Sequence, residues 1–492
     1  MKFLFLVISL LLSAPSRAED VVITVDDAIR MAIGHNLDMR VQTFNPAIAA
    51  TGILGARSIY DTRLAVLLDY RGQEIQSVPD SNTESREHSS GFNANVQQLV
   101  PSGGTLSAVF NNAWYQNNLG NPLSQYFQPQ LSLSFSQPIL QGLGREVTER
   151  GITLAQDSTD SAFADWQQKA ENTAASACNQ FYTLYKAREN LDTRKASLAS
   201  ARRIHEENQA RVKAGVLASY QLLDSELGVL AREFDLLLSE RTTLDAADSL
   251  KVFLQYPSPG TLVPVGGVST EKVPLTAEQA TSRALQKRPE LVKARVTLQG
   301  AEFSEKVSHN LVLPSLALTG AAGVTGLGSG YGGAIGDLTS GRYPTWSVGI
   351  NFSYPIGNSS AEADLAANRL KAAQARVALK SVEETVGLEV RTALRALETR
   401  YQQVEVARKG VTVAAVLFES YEKRLKLGLA TTKDTLDTEN KLVAAKEVLT
   451  GALADYQVAL TELYRSMGEL LDRHNLRIEN KSLAPAAWKE LR

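Results

Sequence analysis

The sequence predicts an α+β membrane protein, a duplicated unit that pairs strands of the membrane-barrel kind with very long coiled-coil helices. Three features carry that reading. Several segments alternate strictly with a period of two, two stretches of more than a hundred residues lack proline, and one set of motifs occurs twice.

The alternation is clearest where Trp346, Val348, Ile350, Phe352 and Tyr354 interleave with Ser347, Gly349, Asn351 and Ser353. Leu131, Leu133 and Phe135 interleave with Ser132, Ser134 and Ser136. Phe92, Ala94 and Val96 do so with Asn93, Asn95 and Gln97, and Leu106, Ala108 and Phe110 with Ser107 and Asn111. Successive side chains of a strand point to opposite faces, so each segment has one apolar and one polar face. The polar face is small, uncharged and rich in hydroxyls and amides, as a wet lumen requires. Trp114, Tyr115, Tyr126, Phe127, Tyr343 and Trp346 cluster here and suit the interfacial girdle of a membrane barrel. The alternative is a soluble sandwich. The count is six strands, near 64–74, 91–99, 104–115, 129–137, 315–323 and 345–355. The alternative count leaves 91–115 as a hairpin outside a four-stranded set.

None of the 16 prolines lies between Pro138 and Pro257 or between Pro355 and Pro485. Proline breaks helix interiors, so both stretches are open to uninterrupted helix. A helix from Arg145 to Ala214 would be on the order of 100 Å long. Ala170, Ala174, Ala177, Phe181, Leu184, Leu191 and Leu198 follow coiled-coil spacing. Leu397, Val404, Ala407, Val411, Ala414, Phe418, Tyr421 and Leu425 do the same. An ordinary helical bundle is the bland alternative; the length and the lack of breakers favour a supercoiled assembly.

The duplication shows at three points. Ala28–Asp38 resembles Ala280–Glu290, and Phe135–Ile139 (FSQPI) resembles Phe352–Ile356 (FSYPI). Arg211–Gly215 (RVKAG) with Leu222–Glu226 (LLDSE) resembles Arg424–Gly428 (RLKLG) with Thr435–Glu439 (TLDTE). The first repeat therefore has a helix at 19–58, strands at 59–140 and a helical hairpin at 141–256 with its tip near 215. A linker follows at 257–275. The second repeat has a helix at 276–313, strands at 314–356, and a hairpin at 357–471 with its tip near 428, before a tail at 472–492. Residues 1–18 read as a signal peptide: Lys2, an apolar run from Phe3 to Leu12, then Ser16-Arg17-Ala18 for cleavage before Glu19. A buried N-terminal helix is the alternative.

Composition excludes several functions. The 492 residues allow about three ordinary domains. With 51 basic against 53 acidic residues, the net charge of −2 offers no counterion release, so no nucleic acid partner is expected. One cysteine, Cys178, makes no internal disulfide and no Cys-based metal site. The five histidines, at 35, 88, 205, 309 and 474, are scattered. His205-Glu206-Glu207 is not a zinc-binding H-E-x-x-H, because Gln209 stands at the last position. Gly328–Gly333 satisfies G-x-G-x-x-G, but it is read as a surface loop between strands that opens no helix. No catalytic residues, metal ligands or cofactor are expected.

The paired R-x-K-x-G tips, each followed by Leu-Asp-Ser/Thr-Glu, and the Gln137–Gly144 run (QPILQGLG) resemble the TolC family of outer membrane efflux proteins over essentially the whole mature chain. The resemblance implies a homotrimer whose strands close one outer-membrane β-barrel, continued by a periplasmic barrel of coiled-coil helices. The family's usual strand total is twelve. The linker Pro257–Pro274 and the C-terminal tail would join a surrounding equatorial belt. It also implies a non-enzymatic duct for small molecules or unfolded polypeptides. Its partners would be a periplasmic adaptor (membrane fusion) protein, an inner-membrane RND, MFS or ABC transporter, and outer-membrane lipid. The rival readings are a non-conducting structural coiled-coil protein of the envelope and a barrel enzyme such as a lipase.

Asp434 and Asp437 lie three residues apart after the second glycine turn and share one helix face. Ordinary N-terminal helix charge is one reading of them. The resemblance implies the other, an aspartate ring that narrows the periplasmic entrance, with Asp224 its first-repeat counterpart and Gln221 the counterpart of Asp434. Ala430 stands where the family places an arginine of the closing network. Gly215, Val216 and Leu217, with Leu427, Gly428 and Leu429, match the small, apolar tips that meet the adaptor.

Overall fold

The computed structural model describes residues 21–75, 85–117, 124–257, 260–266, 268–270 and 272–476. The expected signal peptide, and the tail beyond residue 476, lie outside the described residues. Along the chain, β1 (Val21–Ile23) leads into α1 (Val25–His35) and α2 (Leu37–Arg57). Four strands follow: β2 (Arg63–Ile75), β3 (Ser85–Leu99), β4 (Thr105–Asn117) and β5 (Gln125–Pro138). One turn of helix, α3 (Arg145–Thr148), precedes α4 (Arg150–Lys213), and the chain returns in α5 (Tyr220–Leu254). The second repeat holds β6 (Leu262–Pro264), α6 (Ala277–Lys287), α7 (Pro289–Leu311), β7 (Ser315–Thr325), α8 (Tyr331–Ser340) and β8 (Pro344–Ser353). It ends in α9 (Ser359–Lys426), α10 (Thr432–Met467) and the short α11 (Leu470–Arg473). Two compact units result: residues 46–162 with 293–380, and the rest of the described chain.

In the first unit the six alternating segments are six strands of one antiparallel sheet, ordered β2-β3-β4-β5-β7-β8. The segment 91–115 is not outside it, because β3 and β4 pair continuously between β2 and β5. Register sorts the two faces. Leu64, Val96, Ala108, Leu133, Ala322 and Trp346 are successive partners across all six strands, so they share one side. On the other side Arg63, Gln97, Ser107, Ser134, Ala321 and Ser347 form the matching row. The apolar side lies open: Leu64, Val66, Leu68 and Tyr70 on β2, and Trp346, Val348, Ile350 and Phe352 on β8, are all exposed. Strand-to-helix junctions are fixed by amides. Asn310 Oδ1 accepts from the Gly142 N–H at 2.8 Å, and Asn358 Nδ2 donates to the Val312 carbonyl at 2.9 Å.

One sequence expectation is corrected here. Gly330 is the N-cap of α8, so the Gly328–Gly333 run does open a helix. Close packing explains it: a Cβ at Gly326 would fall on the Ala334 carbonyl and one at Gly328 on the Ala334 nitrogen. Glycine there lets α8 lie against the strand ends, where Tyr331 meets the Phe127 ring edge-on at 5.6 Å.

The second unit is helical. The helices expected over 19–58 and 276–313 are each two helices, and both breaks have local causes. Asn36 leaves the helix and its Oδ1 accepts from the Met39 N–H, restarting α2. Arg288 precedes Pro289, whose ring pushes it to an extended conformation (ψ 126°). The linker also contributes a strand, because β6 pairs in parallel with β1. Ile23, Ala28, Ile29, Ala174, Phe181, Leu250, Leu254 and Leu262 form the main core around these pieces. The coiled-coil positions Ala170, Ala174, Ala177, Phe181, Leu184, Leu191 and Leu198 are all buried, as are Leu397, Val404, Ala407 and Leu425. Val411, Ala414, Phe418 and Tyr421 are half-buried. No helix among the described residues is long and apolar enough to cross a membrane.

Candidate functional site

The two hairpin turns are built alike. Each long helix ends in a basic last turn, Arg211 and Lys213 on α4, and Lys423, Arg424 and Lys426 on α9. Gly215 and Gly428 then take the same left-handed conformation, φ +71°. Their N–H groups donate to Val212 and Leu425, while Val216 and Leu429 donate back to Arg211 and Arg424. This pair of bonds is the Schellman stop, which ties off the last carbonyls of a helix. It leaves Val216, Leu427 and Leu429 among the most exposed apolar side chains, with Leu217 half-buried.

The helices that leave the turns differ. Thr431 caps α10 with a full capping box: its hydroxyl accepts from the Asp434 N–H at 3.1 Å, and Asp434 Oδ2 accepts from the Thr431 N–H at 3.1 Å and its hydroxyl at 2.7 Å. Those two donors, the hydroxyl first, hold the Asp434 carboxyl below the usual aspartate range. The matching positions before α5 are Ala218 and Gln221, and α5 has no side-chain cap. Asp434 is therefore committed to its own helix. Asp437 and Asp224 are exposed and, among the described residues, have no hydrogen-bond or ion-pair partner. So the structure separates the three aspartates by job: one bonded cap and two free charges.

Three further features stabilise the tip and were not legible as roles. Arg211 reaches from α4 to the end of α9, donating from Nη1 to the Leu425 carbonyl at 2.9 Å and from Nη2 to that of Lys426 at 2.8 Å. A cation at the carbonyl end of a helix opposes its dipole. Behind it, Asn208 Nδ2 donates to Thr432 Oγ1 at 2.9 Å, both residues buried. Deeper still, buried Arg232 on α5 donates to Glu439 Oε2 on α10 at 2.8 Å, and Ser197 on α4 donates to Oε1 at 2.5 Å. Arg232 also reaches the Leu436 carbonyl and Asn440 Oδ1, so the charge is fully bonded. Removing one partner of such a pair strands a buried charge, which costs about 3–5 kcal/mol. Sequence gave one signal: Arg211 opens the first R-x-K-x-G and Glu439 closes the second Leu-Asp-Thr-Glu.

A six-stranded sheet with an open apolar face and twin helical hairpins with matched glycine tips are features that comparison with known proteins places. Residues 280–469 match the family model described as "Outer membrane efflux protein". The chain is 23% identical over 66% of its length to the outer membrane efflux protein BepC of Brucella suis, covering 69% of that protein. It is 24% identical to the outer membrane protein TolC of Vibrio cholerae over 64% of this chain and 71% of that one. Its fold resembles the crystal structure of the Campylobacter jejuni CmeC outer membrane channel, with a TM-score of 0.62, 16% identity, and coverage of 94% of this chain and 88% of that one. Residues 280–469 thus carry an outer membrane efflux protein domain, and the chain, similar in sequence and fold to TolC-family efflux proteins, is an outer-membrane protein with a periplasmic extension.

Proposed function

We propose that three copies of this chain close one β-barrel in the outer membrane and form with their helical hairpins a duct for efflux or secretion. The observation that carries this reading is the sheet with an uncovered apolar face and, among the described residues, two unpaired edges, β2 and β8. Unpaired strand edges are not tolerated in lipid, and six strands of one copy do not make a channel wall alone. Pairing β8 of one copy with β2 of the next removes every edge and turns the apolar face to lipid.

In this reading the tips, Gly215, Val216 and Leu217 with Leu427, Gly428 and Leu429, dock on a periplasmic adaptor. That adaptor couples the duct to an inner-membrane RND, MFS or ABC transporter, which supplies the energy. Asp437 and Asp224, joined by the outer edge of the Asp434 cap, form the negatively charged entrance. The cargo is a small molecule or an unfolded polypeptide. The test is mass in detergent together with current across planar bilayers. A trimer that conducts ions is expected; a trimer that passes no current would make this a structural envelope protein instead.

A further inference from the structure

Within one chain the tip of the first repeat is fastened to the tip of the second by a specific set of groups. Arg211 bonds the last carbonyls of α9, at Leu425 and Lys426. Beside it Ala201 and Ile204 of α4 form a buried cluster with Leu425 of α9 and Leu436 of α10. Two of these contacts have an image under the duplication, which carries Gly215 onto Gly428. Arg211 maps to Arg424, and its acceptors Leu425 and Lys426 map back to Val212 and Lys213. Ile204 maps to Leu417, and Leu436 maps back to Leu223. All the image groups have the right chemistry, yet the chain leaves them unmet. Arg424 is exposed, and among the described residues its guanidinium meets only its own helix's Tyr421 ring, at 5.6 Å. Leu223 is 66% exposed and Leu417 37%. The Val212 carbonyl accepts from the Gly215 N–H as Leu425 accepts from Gly428, so each keeps one lone pair for a guanidinium.

We infer that a second copy of this chain supplies the missing half: Arg424 caps the neighbouring copy's α4 at Val212 and Lys213, and Leu417 packs on the neighbour's Leu223. This rests on the homotrimer reading above and adds the residues of the seam. One ring of alternating tips then follows, with the same cap repeated within and between chains. The exposed row on α5 supports a copy as the occupant. Leu223, Leu227, Leu230, Phe234 and Leu237 run at coiled-coil spacing and are all exposed. Their α10 counterparts at 436 and 443, Leu436 and Val443, are buried within the chain. A guanidinium also fits the negative end of a helix better than an apolar partner does.

The test uses the purified full chain in detergent with no other protein, carrying Leu223→Cys and Leu417→Cys; the native Cys178 is buried. Mild oxidation is expected to give covalent trimers on a non-reducing gel, whereas Ile204→Cys with Leu436→Cys gives only an internal bond. Adding Arg424→Ala is expected to slow the interchain bond about tenfold, the change that about 1.4 kcal/mol produces. A trimer by mass that forms no interchain bond overturns the seam and leaves the trimer standing. A monomer by mass overturns both. Interchain bonding that ignores Arg424→Ala overturns the cap.

Discussion

Glu171 on α4 is 7% exposed, and its Oε2 has no hydrogen-bond partner among the described residues. Burial pushes its carboxyl up to about 7; the neighbouring Asp472 charge adds to this, while the Leu471 and Leu470 N–H groups and Arg288 oppose it. An acid whose folded value is raised stabilises the fold fully below its unfolded value, near 4.5, and that contribution is lost as pH rises through about 7. Glu171→Gln removes the charge without changing the shape. The variant is expected to match wild type in unfolding at pH 4.5 and to exceed it at pH 8, by about 3 kcal/mol at most. Equal unfolding midpoints of the two proteins at pH 8 would show that water or a partner already relieves the charge. Cys178 behaves in the same way: burial raises its thiol to about 11, so alkylation at neutral pH is expected only on unfolding. The burial of Cys178 was legible, since its helical spacing with Ala174 and Phe181 marks it as a packed thiol; that of Glu171 was not, because a single Glu in a helix of mixed charge looks like surface.

In the proposed duct the hairpin tip is the element on which function turns. Gly215 and Gly428 both sit at φ +71° with open space around their Cα atoms, so valine there meets backbone strain rather than a clash. The left-handed conformation costs an ordinary residue about 1–2 kcal/mol, and a β-branched one more. Gly215→Val with Gly428→Val is therefore expected to reshape both turns, leave the trimer assembled and abolish export in a drug-retention assay. Normal export would show that turn shape is not what the partner reads. Asp434 needs a different experiment from Asp437. Thr431→Ala breaks the capping box and is expected to destabilise α10 by about 1 kcal/mol with ion selectivity unchanged. Asp437→Asn with Asp224→Asn touches no bond and is expected to weaken cation selectivity and block by a trivalent cation, because crowded like charges attract multivalent counterions. Unchanged block in that double variant would make the two aspartates ordinary solvated charge. The turns were legible because glycine and the basic last turn are local signals. The capping box, with Thr431 and Asp434 at its spacing, is a weaker signal than the paired acidic residues, because an aspartate in a helix's first turn also suits the dipole. The Arg232–Glu439 pair was beyond reach, since 207 residues separate its members.

At the scale of the whole molecule, strand polarity decides what kind of barrel the copies make. Alternation exposed the six strands in the sequence, since period two survives wherever one face is wet. Their order was not legible, because pairing between β5 and β7 crosses more than 170 residues of chain. Six is an even number, so in the proposed trimer β8 of one copy would run antiparallel to β2 of the next, and three sheets would close into 18 antiparallel strands. The β3–β4 hairpin preserves this logic. Without it β2 and β5 would still be antiparallel, and Leu64 would still share a face with Leu133. The hairpin therefore widens a four-stranded plan without inverting it. Strands about 4.8 Å apart and tilted about 40° give a barrel roughly 35 Å across for 18 strands, against roughly 24 Å for twelve. Electron microscopy of the trimer in nanodiscs is expected to resolve the wider wall. Deleting residues 76–123, which removes β3 and β4, is expected to yield a folded trimer with the narrower one. In the proposed duct the tips rather than the wall limit flow, so the deletion should leave resting conductance nearly unchanged. A full-length barrel of twelve strands, with β3 and β4 lying outside it, would show that the sheet seen in one chain reorganises on assembly.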